Sequence, residues 1–227
     1  IAEGGEEVYK EFQKQISEME ANAALGERKC EMGQVGCRGY CSRDVLVDVY
    51  VPGEERVTYE KVKPAMVKNI LNDHIVGGKP FKKAAAKEDY YETLKKQTRV
   101  ALAHGGSIDP ENIDDYIQVG GYESLKKVLS TMKPEEVIEE VKKSGLRGKG
   151  GGGFVTATKW EKARNAPTDE KGTRYIMVNG DEGNPASYMD RSVMEGASHQ
   201  VLEGLLIGAY AIGATEGIIY TRSDYSI

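Results

Sequence analysis

Six of the nine residues from Gly145 to Gly153 are glycine, and no other stretch limits so tightly what the chain around it can be. The run reads Gly145-Leu-Arg-Gly-Lys-Gly-Gly-Gly-Gly-Phe154 and passes directly into Val155-Thr-Ala-Thr-Lys-Trp160. Residues without a Cβ let a backbone bend closely and present its amides, and here two cations, Arg147 and Lys149, stand among them. Such a stretch suits a bulky anionic ligand and reads as a nucleotide-cofactor cradle. A flexible linker can be as glycine-rich, but it is usually diluted with serine and flanked by polar sequence. An amphipathic helix precedes this run and an aromatic residue ends it.

The surroundings are those of a globular chain. With 227 residues, 39% hydrophobic and 30% charged, there is material for one large domain or two small ones, and two are expected. No apolar run reaches the roughly 18 to 20 residues of a membrane span. The first residues carry neither a basic flank nor an apolar signal core. A formal charge of -5 offers no electrostatic footprint for nucleic acid. The expectation is a cytoplasmic protein with no membrane span and no nucleic-acid partner. All three cysteines fall between Cys30 and Cys41, an odd and clustered set that fits a reducing compartment better than a disulfide framework. The chain opens on Ile1 without an initiator Met and stops at Ile227 just after a strand-like run, so both ends are expected to be cut from a longer polypeptide.

Val8, Phe12, Ile16 and Met19 draw one apolar stripe along a helix from Glu6 to about Ala24. Val35-Gly-Cys37-Arg-Gly-Tyr-Cys41 follows, then a strand over Val45–Val51, a turn at Pro52-Gly53 and a second strand around Val57–Tyr59, which together predict a hairpin. Pro64 starts a helix through Met66, Val67 and Ile70 that Gly77-Gly78 ends. The C-x3-C loop can aim two thiolates at one metal centre, with glycine allowing close approach to the sulfurs. Its spacing favours this over two buried or idle thiols without excluding them.

Residues 79–117 are charged, and the lysines at 82, 83, 87, 95 and 96 form either a solvated face or a surface for an acidic partner. Gln97–Leu102 reads as a strand and Ile108–Tyr116 as a short helix with Asp109 as N-cap and Pro110 at its first position. Two helices follow, Tyr122–Met132 and Pro134–Ser144, the second with acidic residues in its first turn, lysines in its last and Gly145 just past it. After the glycine run come a short helix near Lys159-Trp160, a strand Tyr175–Val178 and the polar loop Asn179-Gly-Asp-Glu-Gly-Asn-Pro185. Doubly wound sheets place ligands at such a carboxyl edge. Asp181 and Glu182 could accept from the hydroxyls of a ribityl or ribose chain, and they serve equally well as a turn and a helix N-cap. Asp190-Arg191, Glu195 and His199 then open the helix Val201–Ala214, apolar nearly all round and expected to be buried, where His199 reads as a helix-start residue. Gly217–Thr221 is a further strand, so strand, helix, strand predicts a parallel pair by right-handed crossover.

Two resemblances add to this reading. Gly36-Cys37-Arg-Gly-Tyr-Cys41, with the Val-rich strand, the Tyr-containing strand and the helix closing on His74-Ile-Val-Gly-Gly, resembles the second half of a thioredoxin-like 2Fe-2S ferredoxin domain. By that resemblance Cys37 and Cys41 are cluster ligands and Cys30 is not, and the ligand set is incomplete in this chain. The glycine run, Lys159-Trp160, Asn179–Pro185, Asp190-Arg-Ser-Val-Met-Glu-Gly, His199 and Gly208-Ala-Tyr-Ala-Ile-Gly-Ala-Thr together resemble the flavin-bearing, NADH-oxidising subunit of complex I and its relatives. Those relatives include NAD-linked formate dehydrogenase, electron-bifurcating hydrogenase and benzoyl-CoA reductase type complexes.

The resemblance implies an α/β chain: a partial thioredoxin-like 2Fe-2S domain over residues 1–79, a connector over 80–120, and the N-terminal part of a Rossmann-like FMN/NADH-binding domain over 121–227. It assigns Gly148, Gly150, Lys159, Asn179, Asp181 and Glu182 to FMN, and Gly151, Phe154 and Lys159 to the border of the nicotinamide nucleotide, NAD(H). Lys149 stands in the cradle where the family commonly has Arg, Asn184 where it usually has Glu, and Gly152-Gly153 where Ala-Gly is typical. The implied function is the electron-input module of a multisubunit oxidoreductase, exchanging hydride between NAD(H) and FMN and passing single electrons to iron-sulfur subunits. A 4Fe-4S centre is expected in the missing C-terminal part. The alternative is a non-catalytic docking or scaffold subunit whose cofactor sites have decayed.

Overall fold

Hydrophobic stripes at helical and strand spacing sort the chain into two compact units, one taking Ile1–Gly33 with Arg38–Val100 and the other Gln34–Cys37 with Ala101–Ile227. The computed structural model describes residues 4–168, 170–184 and 186–223; Pro185, the last residue of the polar loop, lies outside them. The fold mixes helix and sheet, as expected.

In the first unit the stripe of α1 (Gly5–Ala21) is buried at Val8, Phe12, Ile16 and Met19, and the helix packs on α2 (Pro64–Ile70) with its buried Val67 and Ile70. Fully burying side chains of this size contributes roughly 1.5 to 3 kcal/mol each, so this seam is the core of the unit. The hairpin forms as predicted but shorter: β1 (Val47–Val49) pairs antiparallel with β2 (Val57–Tyr59), Val47 opposite Tyr59. Helix α2 runs on into a π turn over Leu71–Val76 that carries the buried His74. The Tyr59 hydroxyl, itself buried, lies 2.8 Å from His74 Nδ1 and accepts the Phe81 amide at 3.1 Å.

The stretch after Gly78 differs from expectation. A helix, α3 (Glu88–Lys95), stands where no element is predicted, with Glu88 and Asp89 in its first turn and Lys95 in its last. It buries Tyr90 completely. Gln97–Leu102 is not a strand: it has no pairing partner among the described residues, and Val100 is 80% exposed, so a pleated segment there would bury nothing.

The second unit opens with α4 (Ile113–Gln118), whose cap is Asn112, not Asp109: the Asn112 side chain accepts the Asp114 amide, while Asp109 closes a turn on Glu111. Helices α5 (Glu123–Thr131) and α6 (Pro134–Ser144) follow as read, α6 closing on left-handed Gly145 at φ 67°. After the glycine run, α7 (Thr156–Asn165) leads to β3 (Tyr175–Gly180), α8 (Met189–Gly196), α9 (Ser198–Ile212) and β4 (Glu216–Thr221). Strands β3 and β4 are parallel, Tyr175 opposite Glu216 and Gly180 opposite Thr221, as the crossover predicts. The apolar helix forms as the single helix α9, while Asp190, Arg191 and Glu195 belong to the separate α8, and α9 is only partly buried: Leu206 is 46% exposed while Glu203 is 8% exposed. The acid is inside because its carboxylate accepts from the Tyr116 hydroxyl at 2.6 Å and from the Tyr122 and Leu125 amides, each at 3.0 Å, capping the start of α5. Burial and this carboxylate together push the Tyr116 hydroxyl well above its ordinary pKa.

Two outcomes follow for stability. Burial holds His74 below its ordinary pKa, against the opposing pull of Glu54, so the unfolded chain binds the proton that the folded one refuses. Stability of the first unit should be flat above about pH 6.5 and fall below it by up to about 1.4 kcal/mol per pH unit. Melting curves against pH, with His74→Gln removing the slope, check this. In the second unit a Cβ at Gly121 would lie 2.1 Å from Tyr116 Cδ1, so Gly121→Ala must push Tyr116 off Glu203 and should cost about 1 to 3 kcal/mol in thermal denaturation.

Candidate cofactor site

The glycine run is the tip of a small hairpin. Its base is an antiparallel bridge between Arg147 and Val155, closed by the Gly148 amide on Phe154 O at 2.9 Å and the Thr156 amide on Leu146 O at 3.0 Å. The Arg147 side chain, which carries no assignment from sequence, donates to Gly153 O at 2.9 Å and ties the tip down from within. Gly151 and Gly153 take left-handed backbone, φ 96° and 58°, a turn that costs L residues roughly 1 to 2 kcal/mol.

A Cβ built on Gly150, Gly151, Gly152 or Gly153 meets nothing within 4 Å. Packing inside this unit therefore does not call for these glycines, and the space beside them is open to a ligand. Phe154, 47% exposed, ends the hairpin. Helix α7 brings Lys159 Nζ to 5.6 Å and Lys162 Nζ to 5.9 Å from the centre of its ring, inside cation–π range. Lys159 and Phe154, paired on sequence grounds, are thus brought together, and Lys162 is added to them. An anion at the open tip would find a helix-borne cation, an aromatic face and backbone amides, so the residues present fit a phosphate-bearing flavin in kind.

Asn179 and Asp181 lie at the carboxyl end of β3, both exposed, with Asn179 Oδ1 accepting the Asp181 amide at 3.0 Å. Glu182 turns inward and is 8% exposed. Its two oxygens accept the Met189 amide at 2.6 Å and the Arg191 amide at 3.2 Å, so its carboxylate caps α8. Burial would lift its pKa, but hydrogen bonds from Ser187 and from the backbone of Arg191, Met189 and Asp190 outweigh that and hold it below the ordinary value. Arg222, just past β4, donates to the Glu182 carbonyl at 3.1 Å. Nothing in the sequence signals this contact, since one cation after a strand has no periodicity to betray it.

The hairpin and the end of β3 are held in one frame by α9. A Cβ on Gly208 would meet Ile176 Cδ1 of β3 at 2.6 Å and Trp160 Cζ2 of α7 at 3.1 Å, so these two side chains close on the same bare turn of α9. The two candidate cluster ligands divide between the units. Cys41 opens a short 3-10 turn over Cys41–Arg43 in the first unit, Cys37 belongs to the second, and both are exposed. Among the described residues no group of three or more His, Cys, Asp or Glu side chains is gathered as a metal ion would need. Soft thiolates suit an iron-sulfur centre in kind, while two are half of the four such a cluster takes.

The chain resembles known proteins over the stretch that carries these residues. Residues 141–227 match the family described as the Nuo51 FMN-binding domain. The chain is 53% identical over 135 residues to the NADP-reducing hydrogenase subunit HndC of Solidesulfovibrio fructosivorans, covering 60% of this chain and 26% of that one. It is 46% identical over 114 residues to a NADH-quinone oxidoreductase subunit of Aquifex aeolicus, covering 50% and 26%. The counterpart of that subunit in Escherichia coli is 41% identical over 117 residues, covering 51% and 26%. The resemblance to the flavin-bearing subunit of complex I and hydrogenases is thereby borne out, and the chain spans about a quarter of the length of these relatives.

Because the Glu182 pKa is depressed by the cap it makes, the cap stabilises above the ordinary glutamate range and is lost as pH falls through it, around pH 4.3 and below. Glu182→Gln should lower the melting temperature at pH 7, and the gap to the unaltered protein should close on acidification. Scanning calorimetry at the two pH values checks it.

Proposed function

We propose that the chain is part of the electron-input module of a multisubunit oxidoreductase, one that exchanges hydride between NAD(H) and FMN. The observation that carries this reading is the open space at Gly150–Gly153 on a hairpin pinned by Arg147 and faced by Lys159 and Phe154. The Nuo51 match and the relatives named as NADH-quinone oxidoreductase and NADP-reducing hydrogenase subunits support it.

When bound, FMN supplies the conversion of a two-electron hydride into single electrons. The chain's own contribution is placement. Gly148 and Gly150 let the backbone approach the isoalloxazine and phosphate, while Lys149 and Lys159 balance anionic charge. Gly151, Phe154 and Lys159 border the nicotinamide nucleotide. Asn179 and Asp181, at the carboxyl end of a parallel strand, hold hydroxyls of the ribityl chain. Glu182 completes that set as the residue that fixes the loop onto α8. Hydride transfer between bound FMN and nicotinamide would need no side-chain general base, so the part of these residues would be to hold and orient the two.

The reading extends to the first unit. Residues 1–79 are part of a thioredoxin-like 2Fe-2S domain, 80–120 a connector and 121–227 the beginning of a Rossmann-like FMN/NADH domain, with Cys37 and Cys41 supplying two of four cluster ligands. The partners are iron-sulfur subunits of the same complex, with a 4Fe-4S centre in the remainder of the protein, and the setting is cytoplasmic. No helix of the described residues is long and apolar enough to cross a membrane.

The test fills the open space. In the full-length protein Gly150→Val should leave the melting temperature unchanged, since a Cβ at this position meets nothing within 4 Å. It should weaken FMN binding at least about tenfold, or about 1.4 kcal/mol, in a flavin-fluorescence titration. Unchanged affinity would contradict the reading, and a full-length protein that binds no FMN at all would favour a scaffold subunit with decayed sites.

A further inference from the structure

The segment Arg38–Arg43, which follows Cys37 and contains Cys41, is tied at both ends to elements of the first unit. At its start the Arg38 guanidinium forms a two-pronged ion pair with Asp48 of β1, one contact at 3.1 Å, and donates to the Tyr90 hydroxyl of α3 at 3.0 Å. Both side chains of the pair are about nine-tenths buried, 9% and 10% exposed. Asp48 also accepts the Thr58 hydroxyl at 2.7 Å and has Arg56 at 3.6 Å, so the buried carboxylate is fully engaged. The Arg38 carbonyl accepts from Arg99 at 2.9 Å.

At its end the segment is tied again. Arg43 donates to Glu60 at 2.7 Å and to Asp89 of α3 at 2.5 Å, and its carbonyl accepts the Lys61 amide at 2.9 Å. Between the two arginines, the Tyr40 ring packs edge-on against Tyr90 at 5.3 Å, with the Arg43 guanidinium 5.7 Å from its centre. Adjacent residues of one helix, Asp89 and Tyr90, therefore grip opposite ends of the segment. An exposed loop with a glycine at φ 76° in its middle, Gly39, needs such ties to hold one shape.

We propose that Asp89 and Tyr90 of α3, acting through Arg43 and Arg38, are positioning residues that hold the Cys41 loop in a single shape before any cluster is bound. The helix lies outside the stretch that resembles the ferredoxin domain, and its role is to fix the backbone from which Cys41 presents its sulfur. A loop set in advance loses less conformational entropy when its thiolate is taken up. The value of this for an iron-sulfur centre rests on the reading under Proposed function, while the clamp itself does not.

The experiment separates the two. Hydrogen–deuterium exchange of the cluster-free full-length protein reads the peptide covering residues 38–44, whose Arg43 amide bonds to Tyr40 O at 2.8 Å. Losing one such tie removes about 0.5 to 1.5 kcal/mol, so Tyr90→Phe and Asp89→Asn should each speed exchange there by up to about tenfold. The peptides of α1 and α2 should be unchanged. Arg38→Lys should exchange more slowly than Arg38→Gln, since it keeps the charge facing Asp48. Unaltered exchange in Tyr90→Phe and Asp89→Asn overturns the clamp. In the protein isolated with its iron, the electron paramagnetic resonance spectrum of a reduced 2Fe-2S centre should shift in g-values in the same variants at undiminished iron content. No such spectrum in the unaltered protein would defeat the cluster reading alone, and an identical spectrum in every variant would overturn the positioning role.

Discussion

Trp160 and Ile176 meet over a single residue without a side chain, and the arrangement of the cofactor site depends on that contact. Gly208 lies mid-way along α9, where any Cβ would collide with both neighbours. Because it is bare, α7 and β3 sit down on the same turn of one helix. Helix α7 begins where the glycine hairpin ends and carries Lys159, while β3 ends in Asn179 and Gly180. One close approach in the interior thus sets the frame that carries both the open hairpin tip and the end of β3. Helix-interior glycine costs about 1 kcal/mol against alanine, and the close approach of Trp160 and Ile176 to the bare turn of α9 offsets it.

The site built on this frame divides labour by exposure. Residues that face solvent, the hairpin glycines, Lys159, Asn179 and Asp181, are the ones with capacity left for a ligand. Glu182 and Arg147 spend theirs on the protein: one caps α8, the other holds the hairpin tip. An acid at the carboxyl end of a strand is chemically equal to its neighbour, and only burial tells which of Asp181 and Glu182 looks outward. The same logic recurs at Glu203, an acid on an apolar helix that turns out to be the cap of another one.

What the sequence discloses and what it conceals follow from range. The stripe of α1, the proline and glycine at the ends of α6, and the strand, helix, strand order that makes β3 and β4 parallel are signals within one element or between neighbours, and each is legible. The Asn112 cap of α4 is masked by Asp109 because both residues are good caps, and the choice between them is made by a turn that Asp109 closes locally. Helix α3 escapes a reading of periodicity because its only buried residue is one tyrosine among charges, and its reason for existing is a contact with residues 38 and 43, some fifty positions back. The glycine run is legible as a tight turn with bare backbone, whereas Arg147, Lys162 and Arg222 are recruited by folding and carry no pattern of their own.

The central claim is that the open hairpin accepts a flavin which a nicotinamide nucleotide can reach. Anaerobic titration of the full-length, flavin-loaded protein with NADH reads that claim directly through the oxidised flavin band at about 450 nm. The account predicts that the band bleaches as NADH is added. A band that persists at saturating NADH, in protein shown to contain FMN, would contradict it.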